Sequence, residues 1–226
     1  RLVPSATVWS REAEVRAVVA AGASYAMAPA RTGERVHVEF VSANPTGPIT
    51  VAAGRNALYG DAVATLLEAV GCRVTREYYI NDFGNQVNLF ADSVLAAAEG
   101  REPPEGGYLG AYVGELAEWL KKVDPAALAG DRAALSRTCI TWMFAGVPGS
   151  NVLRGIRRTL TDLGVHHDVF FSEESLHRWG QVQIALHKLE QAGALVAKDG
   201  AVFFVAKDGG EVDKDRVVKK SDGAYT

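Results

Sequence analysis

The sequence predicts an α/β fold built on an open parallel sheet, and three neighbouring observations support this prediction. An apolar strand at residues 36–41 runs into a turn-rich loop at residues 42–48. A helix follows at residues 51–70, with apolar residues at helical spacing and Gly71 at its end. A second strand at residues 73–80 then ends in another polar loop. Such a strand–loop–helix–strand unit is typical of parallel sheets, which bind ligands at the carboxyl ends of their strands.

Most of the other predicted elements are helical. A helix at residues 10–26, with Ser10 as its N-cap, precedes the unit, although Gly22 weakens its last turn. Asp199-Gly200 is a strong turn dipeptide for a hairpin between residues 195–198 and 201–206. The break at residues 103–107, Pro-Pro-Glu-Gly-Gly, is the best candidate for a domain boundary. Further helices are expected at residues 85–99, 111–122, 132–144, 151–163 and 181–191, and a strand at 167–171.

Composition limits the class of protein. The chain has 226 residues and 48% hydrophobic content, which allows one sizeable domain or a domain with an insertion. Its formal net charge of −3 gives no global basic field, so nucleic-acid binding would need a local patch or further domains. Cys72 is expected to be a small core residue, and sparse cysteine suits a cytoplasmic location. No membrane partner is expected, because no run of 18 apolar residues occurs.

Both ends of the chain suggest a fragment. It opens with Arg1 rather than Met, and it stops within the polar turn at residues 221–226. We therefore expect a longer natural protein.

The loop at residues 42–48, Ser-Ala-Asn-Pro-Thr-Gly-Pro, allows two readings. It is either a rigid connector, or a device whose fixed φ angles at Pro45 and Pro48 hold Asn44 and the next helix against a ligand. A helix N-terminus carries unpaired N–H groups and partial positive charge, which suits a nucleotide phosphate.

Two further polar strings follow strands. In the string at residues 77–86, Asn81 or Asp82 is expected to cap the next helix when the residues are considered by themselves. In the string at residues 167–175, Ser172 either caps a helix, or the acidic residues after it bind a cation. A carboxylate at a strand end can form a bidentate pair with a guanidinium group.

These strings, together with residues 213–223, resemble the catalytic domain of arginyl-tRNA synthetases, a class I family. The resemblance implies the first half of a Rossmann-type catalytic domain interrupted by a mainly helical inserted subdomain with a small antiparallel part. It divides the chain into a connecting helix and linker (1–35), the first catalytic half (36–90), the insertion (91–216) and the start of the return to the catalytic domain (217–226).

The resemblance also implies roles for particular residues. Asn44, Asp82, Gln86 and Glu173, with Ser42, would hold arginine, and Glu174 falls on a variable position. The residues that would face ATP are Pro45, Thr46, Gly47, Ala52, Gly54 and Asn56. The catalytic His-x-Gly-His signature of the family is replaced by Thr50-Val51-Ala52-Ala53. Thr50 and Ala53 therefore stand at degenerate signature positions, and adenylate formation should be severely weakened.

The leading hypothesis is thus an arginine-tRNA ligase fragment that uses ATP, with Mg²⁺ accompanying the nucleotide, and whose partners are arginine and tRNA-Arg. The full-length enzyme would be a monomer. Two alternatives stay open: a non-catalytic synthetase-like paralogue that binds arginine or a nucleotide, and a fragment that binds nothing measurable. The histidines match no zinc spacing, so no tightly bound metal is expected, and residues 214–220 form a basic, solvated strand face.

Overall fold

The structure is a computed structural model that describes residues 11–25, 27, 31–205 and 216–225. Predictions that concern Ser10, Pro29 or residues 213–215 lie outside the described residues. The elements follow in the order α1 (Arg11–Ala21), a 3-10 turn (Gly22–Ser24), β1 (Arg35–Glu39), α2 (Val51–Ala69), β2 (Arg73–Ile80), α3 (Asn85–Ala98), α4 (Ala111–Val123), α5 (Pro125–Ala129), α6 (Arg132–Ala145), α7 (Ile156–Asp162), β3 (Val169–Ser172), α8 (Glu173–Arg178), α9 (Gln181–Gln191), β4 (Leu195–Lys198), β5 (Ala201–Phe204) and β6 (Arg216–Lys219). None of the described helices is long and apolar enough to span a bilayer.

The chain forms two compact units. Unit 1 comprises the described part of Arg1–Val41 together with Val51–Tyr78 and Leu160–Phe170. Unit 2 comprises Ser42–Thr50, Tyr79–Thr159 and the described part of Phe171–Thr226. The division at residues 35, 90 and 216 that the resemblance implies remains a prediction.

Unit 1 contains the predicted parallel strand pair. Strands β1, β2 and β3 lie in that order in one sheet, and β1 pairs in parallel with β2 along its whole length. Helix α2 approaches the end of β1 closely, since a Cβ atom on Gly60 would lie 2.3 Å from the ring of Phe40. The buried Ala57 and Ala64 share that face of the helix. The α/β fold class is therefore confirmed.

Local signals set most boundaries in this unit correctly. Helix α2 begins at Val51 as predicted, and Gly71 ends it with φ of 97° and an N–H that bonds to the Glu68 carbonyl at 2.9 Å. Strand β2 has the predicted bounds. The prediction for the first strand was wrong at its end: β1 stops at Glu39, because Val41 has a left-handed φ of 68° that no strand accommodates.

An ion-pair network ties α2 to β2 within unit 1. The side chain of Arg76 on β2 is 12% exposed and contacts Glu68 at 2.6 Å and Asp61 at 3.5 Å. Its backbone N–H donates to Asp168 at 2.8 Å. The hydrogen bond from Arg76 lowers the pKa of Glu68 below its ordinary value, and the same bond raises the pKa of Arg76. The network fixes the helix against the strand.

Unit 2 is built on a helical core. Helix α3 packs on both α4 and α6, and the three helices bury, among others, Val87, Phe90, Val94, Leu116, Leu120, Leu135, Cys139 and Met143. Because α3 packs directly on α4, the break at residues 103–107 connects two helices of one unit and is not the boundary that we expected. Both cysteines are buried as core residues, as expected for Cys72, and burial raises the pKa of Cys139 to about 12.

Unit 2 also contains a small antiparallel sheet. Strands β4, β5 and β6 lie in that order, and β4 pairs with β5 across the predicted hairpin turn. Asp199 and Gly200 have φ of 51° and 78°, as a two-residue turn requires. Of the strand predicted at residues 214–220, the structure shows β6 at Arg216–Lys219. Residues 214 and 215 lie outside the described residues.

Two predicted starts and one predicted end were wrong. The helix expected at residues 151–163 begins only at Ile156, because Gly155 has φ of 84° and packs against the backbone of Gly146. The strand expected from His167 begins at Val169. The first helix ends at Ala21, where Gly22 adopts a φ of 54°.

Candidate functional site

A network of side-chain amides in unit 2 joins two of the predicted strings. The Asn44 side chain lies at its centre: its Nδ2 donates to Gln86 Oε1 at 2.8 Å, and its Oδ1 accepts from Asn81 Nδ2 at 2.8 Å. The loop that carries Asn44 is tied to β2 because the Ser42 Oγ accepts a bond from the Tyr79 N–H at 3.0 Å. The structure thus brings together Ser42, Asn44 and Gln86, as expected for one site.

Asp82 joins the second and third strings. Its Oδ2 accepts from the Ser172 hydroxyl at 2.6 Å, and its Oδ1 accepts from the Glu174 N–H at 2.8 Å. Asp82 therefore caps helix α8 from 90 residues away. The reading in which Asn81 or Asp82 caps α3 was wrong, since Gly84 is the N-cap there. Ser172 is the N-cap residue of α8, but its hydroxyl bonds to Asp82 instead of to its own helix.

Glu173 is the carboxylate of the site that lacks a counter-charge. It is half-buried, and no hydrogen bond or ion pair to it is found among the described residues. Burial, and then the nearby charge of Asp82, raise the pKa of Glu173 above its ordinary value. Glu174 differs, because its carboxylate lies 3.6 Å from Arg137 Nη1. An unpaired, partly desolvated carboxylate beside a second one is an arrangement that a bound cation stabilises.

The loop residues predicted to face ATP are mostly used in packing. Pro45 and Thr46 are buried in unit 2, and the Thr46 carbonyl accepts a bond from the Tyr112 hydroxyl at 3.2 Å. Gly47 lies against the same ring, since a Cβ there would be 3.5 Å from the hydroxyl oxygen. Their contacts with ATP remain a prediction.

The start of helix α2 in unit 1 presents few polar side chains. Ala52 is exposed, Ala53 is half-buried, and a Cβ on Gly54 would meet open space. Asn56, which was predicted to face ATP, has its Oδ1 accepting from the Val41 N–H at 2.6 Å. That bond holds Val41 in its left-handed conformation at the end of β1. Thr50, just before the helix, is exposed in unit 2.

Sequence reasoning missed three contributors. Asn81 completes the amide network, Ser172 anchors Asp82, and Tyr112 holds the loop at Thr46. Asn81 and Ser172 lie inside the polar strings at residues 77–86 and 167–175, but the sequence predicted only helix-capping roles for them. Tyr112 carries no local signal, because its partner is 66 residues away.

Comparison with known proteins adds the following findings. Residues 14–103 match the family described as tRNA synthetases class I (R), catalytic domain. The chain is 46% identical to the arginine–tRNA ligase of Renibacterium salmoninarum over 210 residues, which is 92% of this chain and 37% of that protein. It is 43% identical to the arginine–tRNA ligase of Paenarthrobacter aurescens over 93% of this chain and 37% of that protein. The chain belongs to the arginyl-tRNA synthetase family.

Solved structures of this family share the fold. A Campylobacter jejuni structure assigned to arginyl-tRNA synthetase superposes with a TM-score of 0.75 at 25% identity, over 94% of this chain and 47% of that one. The Thermus thermophilus arginyl-tRNA synthetase superposes with a TM-score of 0.61 at 23% identity, over 95% of this chain and 37% of that one. The Rossmann-type class I synthetase fold is thus confirmed. The chain spans little more than a third of the length of the curated synthetases that it matches.

Proposed function

We propose that this chain is the arginine-holding part of an arginine–tRNA ligase, with weakened capacity for the ATP-dependent activation step. In the complete reaction, ATP and arginine form arginyl-adenylate, and the arginyl group passes to tRNA-Arg. The observation that supports the proposal best is the half-buried carboxylate of Glu173, which has no counter-charge among the described residues. Arginine would supply the missing cation.

The geometry favours a guanidinium as the bound group. A planar guanidinium presents five donors in a fork and can bind one carboxylate with two parallel hydrogen bonds, which an ammonium cannot. Asp82 would contribute charge and hold the Ser172–Glu174 segment in place, because its two oxygens accept from the Ser172 hydroxyl and the Glu174 N–H, on either side of Glu173. Asn44 and Gln86 would bind the rest of the amino acid through their amide groups.

The replaced signature accounts for the weakened chemistry. Thr50 offers a hydroxyl without the charge of an imidazolium, and Ala53 offers no side-chain donor. Losing one transition-state donor typically slows a reaction by about 10²–10³-fold. Mg²⁺ would arrive on the ATP phosphates, and the described residues include no group of three acidic, histidine or cysteine side chains placed for a metal. The proposal includes a cytoplasmic location and a monomeric full-length enzyme.

Calorimetric titration of arginine into the chain tests the proposal, with ATP titrated separately. Glu173→Gln should weaken arginine binding by about 10- to 100-fold, since a hydrogen bond to a charged group contributes about 1.5–3 kcal/mol. Glu174→Gln is the matched control, because its carboxylate already faces Arg137. Equal affinities for all three proteins, or no arginine binding to the unaltered chain, would contradict the proposal.

A second candidate is a synthetase-like paralogue that binds arginine without catalysis. The observation that favours it is the loss of both histidines and the glycine in the signature, while Asn44, Asp82 and Gln86 remain. Tight arginine binding combined with no ATP binding, even after the signature is restored, would support this alternative.

A further inference from the structure

A cavity of about 330 Å³ lies in unit 2 where the chain passes from α6 to α7, and none of the residues that line it belongs to the candidate site. Its walls include Gly146, Pro148, Ser150, Asn151, Arg154 and Arg158. The two arginine side chains are its charged groups, and no carboxylate lines it. The cavity is therefore electropositive.

The loop that forms this cavity is held in one shape by its own backbone. A Cβ atom on Gly146 would lie 2.2 Å from the Arg154 carbonyl oxygen, and one on Gly155 would lie 2.4 Å from the Gly146 nitrogen. The Val147 N–H donates to the Leu153 carbonyl at 2.7 Å and closes the loop. The two ends of the loop are thus in direct backbone contact, which places Arg154 opposite the turn.

Ser150 fixes the turn from inside. Its Oγ accepts from the N–H groups of Val152 at 3.1 Å and Leu153 at 2.7 Å, and its hydroxyl donates to Glu115. The cavity wall is preorganised, so a ligand would not need to order it.

The charge of this region differs from that of the chain as a whole. Residues 145–158, which span the cavity, contain three arginines and no acidic residue, whereas the full chain has a formal net charge of −3. Two arginines of unit 2 outside the cavity face carboxylates: Arg101 faces Glu99, and Arg132 faces Asp92. Arg158 is exposed and has no ion pair among the described residues.

We propose that this cavity, with Arg154 and Arg158 as its cations, binds a phosphate group of an RNA backbone. Arginine binds phosphate with two parallel hydrogen bonds, and Asn151 can donate a further one from its amide. The choice of RNA over another polyanion rests on the proposed function, since tRNA is the polyanion that an arginine–tRNA ligase handles. The local patch supplies the contacts that the overall charge of the chain does not.

The test measures binding of a fluorescein-labelled tRNA-Arg transcript to the whole chain by anisotropy at several salt concentrations. Arg158→Gln should weaken binding about tenfold at low salt and reduce the slope of log affinity against log salt by about one. Arg158→Lys keeps the positive charge but lacks the forked guanidinium group. Its affinity for the transcript should therefore lie between that of the unaltered chain and that of Arg158→Gln. Arg101→Gln is the control, because that arginine faces Glu99.

Two outcomes would overturn the proposal: no binding of the transcript to the unaltered chain, or the same affinity and salt slope for Arg158→Gln as for Arg101→Gln. Thermal unfolding of each variant checks that it folds. The affinity of Arg158→Gln for free arginine, measured by calorimetry, should equal that of the unaltered chain. If arginine fails to bind while transcript binding depends on Arg158, the proposed function fails and the phosphate site stands.

Discussion

Unit 2 joins polar side chains from segments far apart in sequence: Asp82 bonds to Ser172, the neighbour of Glu173, and three side-chain amides bond to one another around Asn44. Helix α2 in unit 1 packs on Phe40 at Gly60, but Thr50 and Ala53 stand at the positions where the resemblance implies the two signature histidines. Under the proposed function, the first region keeps the groups that bind the substrate and the second keeps only its scaffold. Because a helix needs little more than buried small residues, such a scaffold can outlast its catalytic groups.

The largest effect is expected from restoring the signature residues at the start of α2. The triple change Thr50→His, Ala52→Gly and Ala53→His should raise arginine-dependent exchange of pyrophosphate into ATP by about 10²–10³-fold for each restored donor. The physical reason is that imidazolium groups stabilise the phosphates where the present side chains cannot. Radiolabelled exchange measures it, and calorimetry with ATP reports the binding part alone.

A matched control separates charge from helix propensity. Ala52→Gly by itself should produce no exchange, because it restores space without a donor, and it should cost roughly 0.5–1 kcal/mol of stability as a glycine inside a helix. If the triple variant binds ATP no better than Ala52→Gly does, the replaced signature does not explain why the start of α2 lacks catalytic function.

An effect of intermediate size is expected in unit 2, where Asp82 caps helix α8 from a distant part of the sequence. Asp82→Ala removes the acceptor of the Ser172 and Glu174 bonds and should cost about 1–2 kcal/mol of unfolding free energy, the usual effect of losing an N-cap. It should also weaken arginine binding about tenfold, since the segment that carries Glu173 loses its anchor. Urea unfolding and calorimetry measure the two quantities.

Asp131→Ala is the control for this second prediction. Asp131 caps α6 by accepting from the Ala134 N–H at 2.8 Å, so its loss should destabilise the chain by a similar amount. Arginine affinity should then stay unchanged. An equal loss of affinity in both variants would mean that lowered stability, not the position of Glu173, explains the result.

The Asp82 cap also shows what sequence could and could not foresee. Signals within a few residues were sufficient for β2, for the end of α2 at Gly71 and for the Asp199-Gly200 turn. Asp82 was identified as a polar residue at a strand end, but its partners lie 90 and 92 residues away and have no local signature. The helix start at Ile156 failed for the same reason, because the contact between Gly146 and Gly155 decides it.

The smallest expected effect concerns the cost of keeping Glu173 charged without a partner. Its pKa is raised in the folded chain, first by burial and then by Asp82, so the folded state binds this proton more tightly than the unfolded state does. The associated stability is fully present below the ordinary pKa of 4.5 and is lost as pH rises through the folded value. Glu173→Gln, which resembles the protonated form, should therefore be more stable than the unaltered chain at pH 7 and equal to it near pH 4.

Urea unfolding at both pH values measures this difference in stability between Glu173→Gln and the unaltered chain. Repeating the measurement with arginine tests whether the charged carboxylate serves to bind it. Arginine at one fixed concentration should stabilise the unaltered chain more than Glu173→Gln, because a ligand stabilises the state that binds it and the variant binds arginine about 10- to 100-fold more weakly. Glu174→Gln should show no gain at pH 7, since its carboxylate has Arg137 beside it. A gain in Glu174→Gln equal to that in Glu173→Gln would show that general negative charge destabilises this region. A gain in Glu173→Gln alone would identify a carboxylate that the fold holds ready for a cation at the expense of its own stability.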